Sequence, residues 1–305
     1  MIKVAKNYEE PPAVLISENC IRQIKEAVEK KSGDRYSTYY YRHNEVLSNL
    51  KEKIYHKKCA YCESKCEHVA KLQVEHFRPK NGLKKEKPGD ETHNGYYWLG
   101  NEWSNLLLSC PICNEPDAKG TRFPIAGERV YDGSPFDSSS EIDSFDRTRL
   151  MATNSPLMDE KPLLLNPEYD EPKDHLEFDN LGQIKGITER GNVTIDICKL
   201  NRDALYLERQ EIVNQFVDNI KIYVFIFETK YKNIDREAYF LLLDSEFEKI
   251  MKRTKPEEEY TLWGRFIFNE FEDCILRRIN SVDREPIREA FKRYCSRLPE
   301  EERNF

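Results

Sequence analysis

Two Cys-x-x-Cys pairs, Cys59-Ala60-Tyr61-Cys62 and Cys110-Pro111-Ile112-Cys113, constrain this chain more than any other feature. Each spacing can offer two thiolates to one tetrahedral ion at about 2.3 Å. If the pairs share an ion, residues 63–109 must leave and return to a single point. Four soft thiolates suit zinc and leave no open coordination position, which makes such a centre structural rather than catalytic. Two other arrangements stay open at this level: four unrelated buried cysteines, or a site using Cys62, Cys66 and His68 in place of the downstream pair. In the two-pair reading Cys66 and His68 are ordinary residues of a turn.

At 305 residues the chain needs no covalent staples to build a core. Its nine cysteines are unevenly placed, five of them between Cys59 and Cys113, which favours metal over a disulfide framework. No basic-then-apolar leader opens the sequence and no run of about 18 apolar residues occurs, so the expectation is a cytoplasmic protein without a membrane partner. A net charge of −7 argues against non-specific coating of nucleic acid but leaves room for a local basic patch. Arg78, Lys80, Lys84, Lys85 and Lys87 form one in sequence, with a solvated loop as the plainer alternative.

Periodicity predicts an α+β chain in three parts. Residues 1–57 read as an N-terminal helical segment, with Ser17 opening a helix that carries Ile21, Ile24 and Val28 and a second helix carrying Val46, Leu47, Leu50 and Ile54. Residues 58–200 read as the core: a strand over 69–77, a loop to about Thr92, an aromatic cluster at Tyr96-Tyr97-Trp98, and the apolar run Leu106-Leu107-Leu108. An irregular polar stretch follows over 115–160, then a short buried strand at Leu163-Leu164-Leu165 and a hairpin over 175–187. Residues 201–305 read as a helical bundle, with helices at 203–229, 235–253, 257–279 and 284–297 broken near Lys232-Asn233, Pro256 and Pro286. Its apolar stripes, among them Phe216, Ile220, Val224, Phe240, Phe247 and Trp263, read as core by default, and part of them as a docking face otherwise.

Between and just after the cysteine pairs lie Val74-Glu75-His76-Phe77-Arg78-Pro79, Asn105 ahead of its leucine run, Asn114 directly after Cys113, and Lys119-Gly120. This order resembles the HNH endonuclease family. The resemblance implies a ββα-metal core held by the zinc, and it points to His76, Asn105 and Asn114 as the family positions. Hydrolysing a phosphodiester needs an activated water and positive charge near the phosphate. His76 can take a proton at neutral pH. Glu75 and Asn114 offer hard oxygen ligands for Mg or Mn. By resemblance Asn105 bonds backbone near His76 and fixes its ring. Glu75 and His76 point to opposite sides of a regular strand, so a twist is needed before both can address one phosphate. Arg78, Lys80 and Lys119 are candidates to bind flanking phosphates, against solvated charge. His93 reads as solvent-facing. Glu75 stands where the family often has Asp, and Asn114 where it often has His.

Further motifs, including Lys119-Gly120, Phe123-Pro124, Leu165-Asn166-Pro167 and Leu200-Asn201-Arg202, are similar to the PtuB branch of the family, the nuclease subunits of Septu and some retron-associated anti-phage systems. The resemblance runs over about residues 59 to 205. It implies a PtuA-like ATPase partner, a nucleic-acid substrate with DNA favoured over RNA, and leaves a homodimer open. The competing reading is a zinc-stabilised nucleic-acid-binding or adaptor module that does not cut.

Overall fold

A computed structural model describes residues 1–85, 91–137, 141–227 and 236–302. It divides into two compact units, one of Met1–Leu176 with Gly186–Leu200, the other of Glu177–Lys185 with Asn201–Phe305. The N-terminal helices therefore belong to the unit that carries the cysteines, and the tip of the 175–187 hairpin belongs to the helical unit. Lys87, Lys232 and Asn233 lie outside the described residues.

In the first unit, helix α1 (Glu18–Lys30) starts where the Ser17 side chain accepts the Cys20 amide, and it ends where Lys31 turns left-handed at φ 49°. Cys20, Ile24 and Ala27 form its buried stripe, flanked by half-buried Ile21 and Val28. A one-turn helix α2 (Thr38–Tyr41) comes next. Then α3 (Asn44–Ser48), capped by His43, runs on into a π-helical stretch over Asn49–Ile54. Val46, Leu50 and Ile54, four residues apart, are its buried positions.

Strands β1 (Gln73–His76) and β2 (Leu106–Ser109) pair antiparallel, with Val74 opposite Leu108 and His76 opposite Leu106. The observed strand is shorter than the predicted one, because Val69 sits 76 % exposed in a turn closed by its amide on the Cys66 carbonyl. Leu106, Leu107 and Leu108 are all fully buried, so β2 is covered on both faces and carries no alternation to mark it as a strand. A single helical turn, α4 (Pro111–Asn114), follows it.

The long segment after residue 115 is irregular as expected, yet it is not confined to the surface. It inserts Leu150, Ala152, Leu157 and Glu160 into the interior. Glu160 there accepts from Arg78 Nε (2.9 Å), Tyr96 Oη (2.7 Å) and the Val130 amide (3.0 Å). Leu163-Leu164-Leu165 is buried as predicted for Leu164 and Leu165 but forms no strand; Pro162 makes an isolated bridge to Ile125, and the Leu165 amide bonds the Thr194 hydroxyl instead of a neighbouring strand. Helix α5 (Glu189–Ile197) closes the unit.

Buried ions replace sheet in holding this unit together. Lys6 Nζ donates to the carbonyls of Trp103 and Leu106, both at 2.6 Å, and to Glu168 at 3.1 Å, while Tyr8 and Tyr55 donate to the same carboxylate. A chain with only short strands leaves backbone carbonyls unpaired, and a lysine with three donors can answer several at once.

Strands β3 (Leu176–Phe178) and β4 (Ile184–Gly186) form the hairpin, whose 177–185 portion belongs to the second unit, and that unit's helices are α6 (Asp203–Phe225), α7 (Arg236–Lys252), α8 (Thr261–Asn269), α9 (Phe271–Cys274) and α10 (Arg284–Arg297). The third predicted helix is broken into α8, α9 and a 3-10 turn over Leu276–Arg278. Phe216, Ile220, Val224, Phe240, Phe247, Trp263 and Phe271 are buried core, with the Phe247 and Phe291 rings edge-on at 5.2 Å. Leu241, next to buried Phe240 in the sequence, is 63 % exposed.

Because Arg78 and Glu160 are both fully buried, removing one partner strands an uncompensated charge. Glu160→Ala is expected to lower the unfolding free energy by about 3–5 kcal/mol. Urea unfolding followed by circular dichroism reads it; a loss under 1 kcal/mol would contradict a buried pair.

Candidate active site

The four cysteines of the two pairs converge. All are buried, and their sulfurs lie within 4.8 Å of one another. Four thiolates at about 2.3 Å from a tetrahedral ion sit about 3.8 Å apart, and Cys62 Sγ and Cys110 Sγ are 3.8 Å apart. The geometry thus fits a metal ion such as zinc. Among the described residues this is the cluster of His, Cys, Asp or Glu side chains placed to hold one. Cys66 and His68 stand outside it, with Cys66 Sγ on the Ala70 carbonyl and His68 exposed. Burial pushes the Cys59 thiol well above its ordinary range, and hydrogen bonding with Cys110 first, then with Cys59 and Cys62, does the same for Cys113. Metal must therefore displace protons to bind.

Each knuckle is tied to a strand. The Ala60 amide donates to the Leu108 carbonyl of β2 at 2.7 Å. On the other side, the Cys110 sulfur accepts from the Cys113 amide, and the Lys119 amide donates to the Cys113 carbonyl at 3.2 Å. From there the Lys119 side chain, fully buried, reaches the His76 carbonyl at 2.6 Å and forms an ion pair with Glu75.

His76 ends β1 with its ring on the other side of the strand from Glu75. Its Nε2 donates to the Gly100 carbonyl at 2.8 Å, which fixes the tautomer and leaves Nδ1 as the acceptor. Gly100 has to be glycine for this: a Cβ there would lie 2.3 Å from the Tyr36 ring. Behind His76, buried Asn105 closes a two-way clamp, its Oδ1 accepting the Arg78 amide at 2.8 Å and its Nδ2 donating to the Arg78 carbonyl at 3.0 Å and the Leu99 carbonyl at 3.2 Å.

The sequence missed the segment that lies against the His76 ring. The Tyr41 ring packs edge-on to it at 4.8 Å. Around that same tyrosine stand the Arg42 guanidinium at 5.5 Å and Lys80 Nζ at 6.0 Å from the ring centroid. Arg42 is exposed and makes no ion pair among the described residues. Lys80 is half-buried and donates to the Gly33 carbonyl at 3.0 Å. The run Tyr39-Tyr40-Tyr41-Arg42-His43, aromatic and basic together, is the signal that could have marked it. Burial first, then the cations Lys80, Lys119 and Arg42, pull the His76 ring far below its usual range, to about 3, so it is neutral at neutral pH.

Other expected site residues are placed differently. Arg78 is fully buried with Glu160 and the Leu157 carbonyl, and Lys119 is fully buried with Glu75, so neither presents its charge to a phosphate. Burial raises the Glu75 carboxyl, with Lys119 pulling it back. Asn114 Nδ2 bonds the Gln73 side chain at 3.3 Å, at the opposite end of β1 from His76. Glu75 and Asn114 therefore do not assemble a pair of hard ligands beside His76, and the twist that would bring Glu75 round is absent. His93 is buried, not solvent-facing, because both its nitrogens are bonded to backbone.

The chain is homologous to Septu protein PtuB of Bacillus mycoides (strain KBAB4), 34 % identical over 171 residues, which are 55 % of this chain and 51 % of that protein. More distantly it matches Septu protein PtuA of the same strain, 27 % identical over 226 residues, 74 % of this chain and 27 % of that protein. The chain thus spans about half of the first relative and about a quarter of the second. No protein-family model matches it. No solved structure matches it either. No described helix is long and apolar enough to cross a membrane.

Two predictions follow from this geometry. Metal analysis should find one zinc per chain, and Cys113→Ser or a strong chelator should lower the melting temperature by 5 °C or more, of order 1–2 kcal/mol or above; a chain free of metal and indifferent to the substitution would refute a shared centre. For His76, the folded value lies below the unfolded value of about 6.5, so its neutral state contributes stability above about pH 6.5 that is lost as pH falls toward about 3. His76→Gln should flatten that part of the stability profile, read by urea midpoints between pH 7 and pH 4; parallel profiles would show the ring is not held neutral.

Proposed function

We propose that this chain is an HNH-type endonuclease that hydrolyses phosphodiester bonds, acting as the effector of a bacterial anti-phage defence complex with a PtuA-like ATPase. The observation that carries the reading is the His76 arrangement: a neutral imidazole with its tautomer set by the Gly100 carbonyl, and the backbone behind it clamped by Asn105. Kinship with PtuB over 171 residues supports the setting.

In this mechanism a water between His76 Nδ1 and the phosphorus loses its proton to the ring as it attacks, the negative phosphate offsetting the burial that disfavours a protonated ring, and the bond to the leaving sugar oxygen breaks as that oxygen takes a proton from solvent. Arg42 and Lys80 offset the charge that gathers on the phosphate oxygens, Arg42 as a bidentate fork and Lys80 as a point charge. Of the three residues expected in this role, Arg78, Lys80 and Lys119, Lys80 keeps it, and Arg42 stands in for the two that are buried. An ion on the four cysteines would stay out of the chemistry, and Cys59, Cys62, Cys110 and Cys113 would hold it so as to fix the knuckles that anchor both strands. Glu75 and Asn114 do not supply a hard divalent ion with ligands here, so no step runs through one. DNA is the favoured substrate.

A second reading has its own observation. Glu75, the family's hard ligand by resemblance, is tied to Lys119, which suits a zinc-stabilised binding module that does not cut. Purified protein with its partner ATPase, incubated with plasmid and with total RNA in Mg²⁺, in Mn²⁺ and in chelator, separates the two. Cleavage is expected and should drop by about 100-fold or more in His76→Ala, while Arg42→Ala weakens substrate binding by about tenfold. Cleavage that survives His76→Ala sinks the nuclease assignment, and binding without any cleavage under all these conditions favours the module.

A further inference from the structure

The basic run after β1 does not make one patch. Arg78 turns inward and Lys80 turns to the Gly33 carbonyl near Tyr41, whereas Lys84 and Lys85 stand exposed at a separate cavity of about 390 Å³ that shares no lining residue with the His76 surroundings. That volume lies within the range of small-molecule sites.

The cavity is built from three kinds of wall. One is aromatic: the Tyr131 ring, 48 % exposed, packs at 5.1 Å against the ring of buried His93. His93 is rigid, its Nε2 donating to the Val130 carbonyl at 2.9 Å and its Nδ1 accepting the Gly95 amide at 3.0 Å. The second wall is cationic. Arg129 is pinned by donating to Tyr96 Oη and to the Phe123 carbonyl, both at 2.8 Å, so its guanidinium is held in place before any ligand arrives. Lys84 and Lys85 add two charges whose side chains make no hydrogen bond or ion pair among the described residues. The third is apolar, with Phe123 and Leu163. Among the described lining residues one carboxylate, Glu91, stands with the three cations and can accept from a hydroxyl or an amine.

A purely apolar ligand would leave the cations without purpose, and a bare phosphate would use neither the aromatic wall nor the volume. A flat ring carrying a phosphate uses all three walls: the ring stacks on Tyr131 and the anion meets the lysines at the rim. We infer that this cavity is a nucleotide site, with the base against Tyr131 and the phosphate on Lys84 and Lys85. The same chemistry is presented by a free nucleotide and by one nucleotide of a single strand. The inference is independent of cleavage at His76.

Calorimetric titration of the full chain with AMP tests it, with adenosine and inorganic phosphate as partial ligands. AMP should bind, and each partial ligand at least about tenfold more weakly, since adenosine forfeits the cationic wall and inorganic phosphate the aromatic and apolar ones. The double substitution Lys84→Ala/Lys85→Ala and, separately, Tyr131→Ala should each weaken AMP by about tenfold or more, with circular dichroism unchanged because all three side chains are exposed. His76→Ala should leave AMP binding as it was. A single-stranded oligonucleotide that displaces AMP assigns the site to a strand, and one that does not assigns it to a free nucleotide; either supports the site. Absence of AMP binding at about 1 mM, or binding indifferent to either substitution, overturns it.

Discussion

Four sulfur atoms within 4.8 Å of one another tie together stretches of chain that would otherwise have little reason to meet. The paired strands are only four residues long each, too short to stand alone in water. What fixes them is their attachment on both sides to the knuckles: Ala60 to Leu108 from the first, and Cys113 through Lys119 to His76 from the second. A metal ion at the sulfurs would make that attachment rigid, and the position of the His76 backbone follows from it.

Charge is used inside this unit as other proteins use sheet. Lys6, Arg78 and Lys119 each place a cationic group in the interior, and each divides its donors between a carboxylate and backbone carbonyls. Such groups are individually poor sources of net stability, since desolvation offsets most of the Coulomb attraction. They do satisfy carbonyls that irregular chain leaves open, and they fix one arrangement of the loops. The same economy explains why a basic run in sequence is a poor guide to a basic surface here: of its described members, Arg78 is buried, Lys80 half-buried, and Lys84 and Lys85 exposed elsewhere.

The two Septu relatives frame the function from different sides. Kinship with PtuB agrees with the motif order between the cysteine pairs. Kinship with part of PtuA was not foreseen, because the sequence reading put a PtuA-like protein among the partners rather than the relatives.

By itself the sequence determined what is local or chemical. The identical Cys-x-x-Cys spacings pointed to the four-cysteine cluster, since ligand type and spacing are what a metal ion would demand. The capped periodic stripes gave α1 and most of the C-terminal helices, because amphipathic repeats are read within one turn of chain. The tertiary structure decided which way side chains face and who meets whom. Leu106 to Leu108 carried no alternation, being buried on both faces; Arg78 and Lys119 met carboxylates at or near the far end of irregular chain; and Tyr41 and Arg42, more than thirty residues before His76, came to lie beside its ring. None of those meetings has a period or a motif, because each depends on where loops return, and only the packed molecule fixes that.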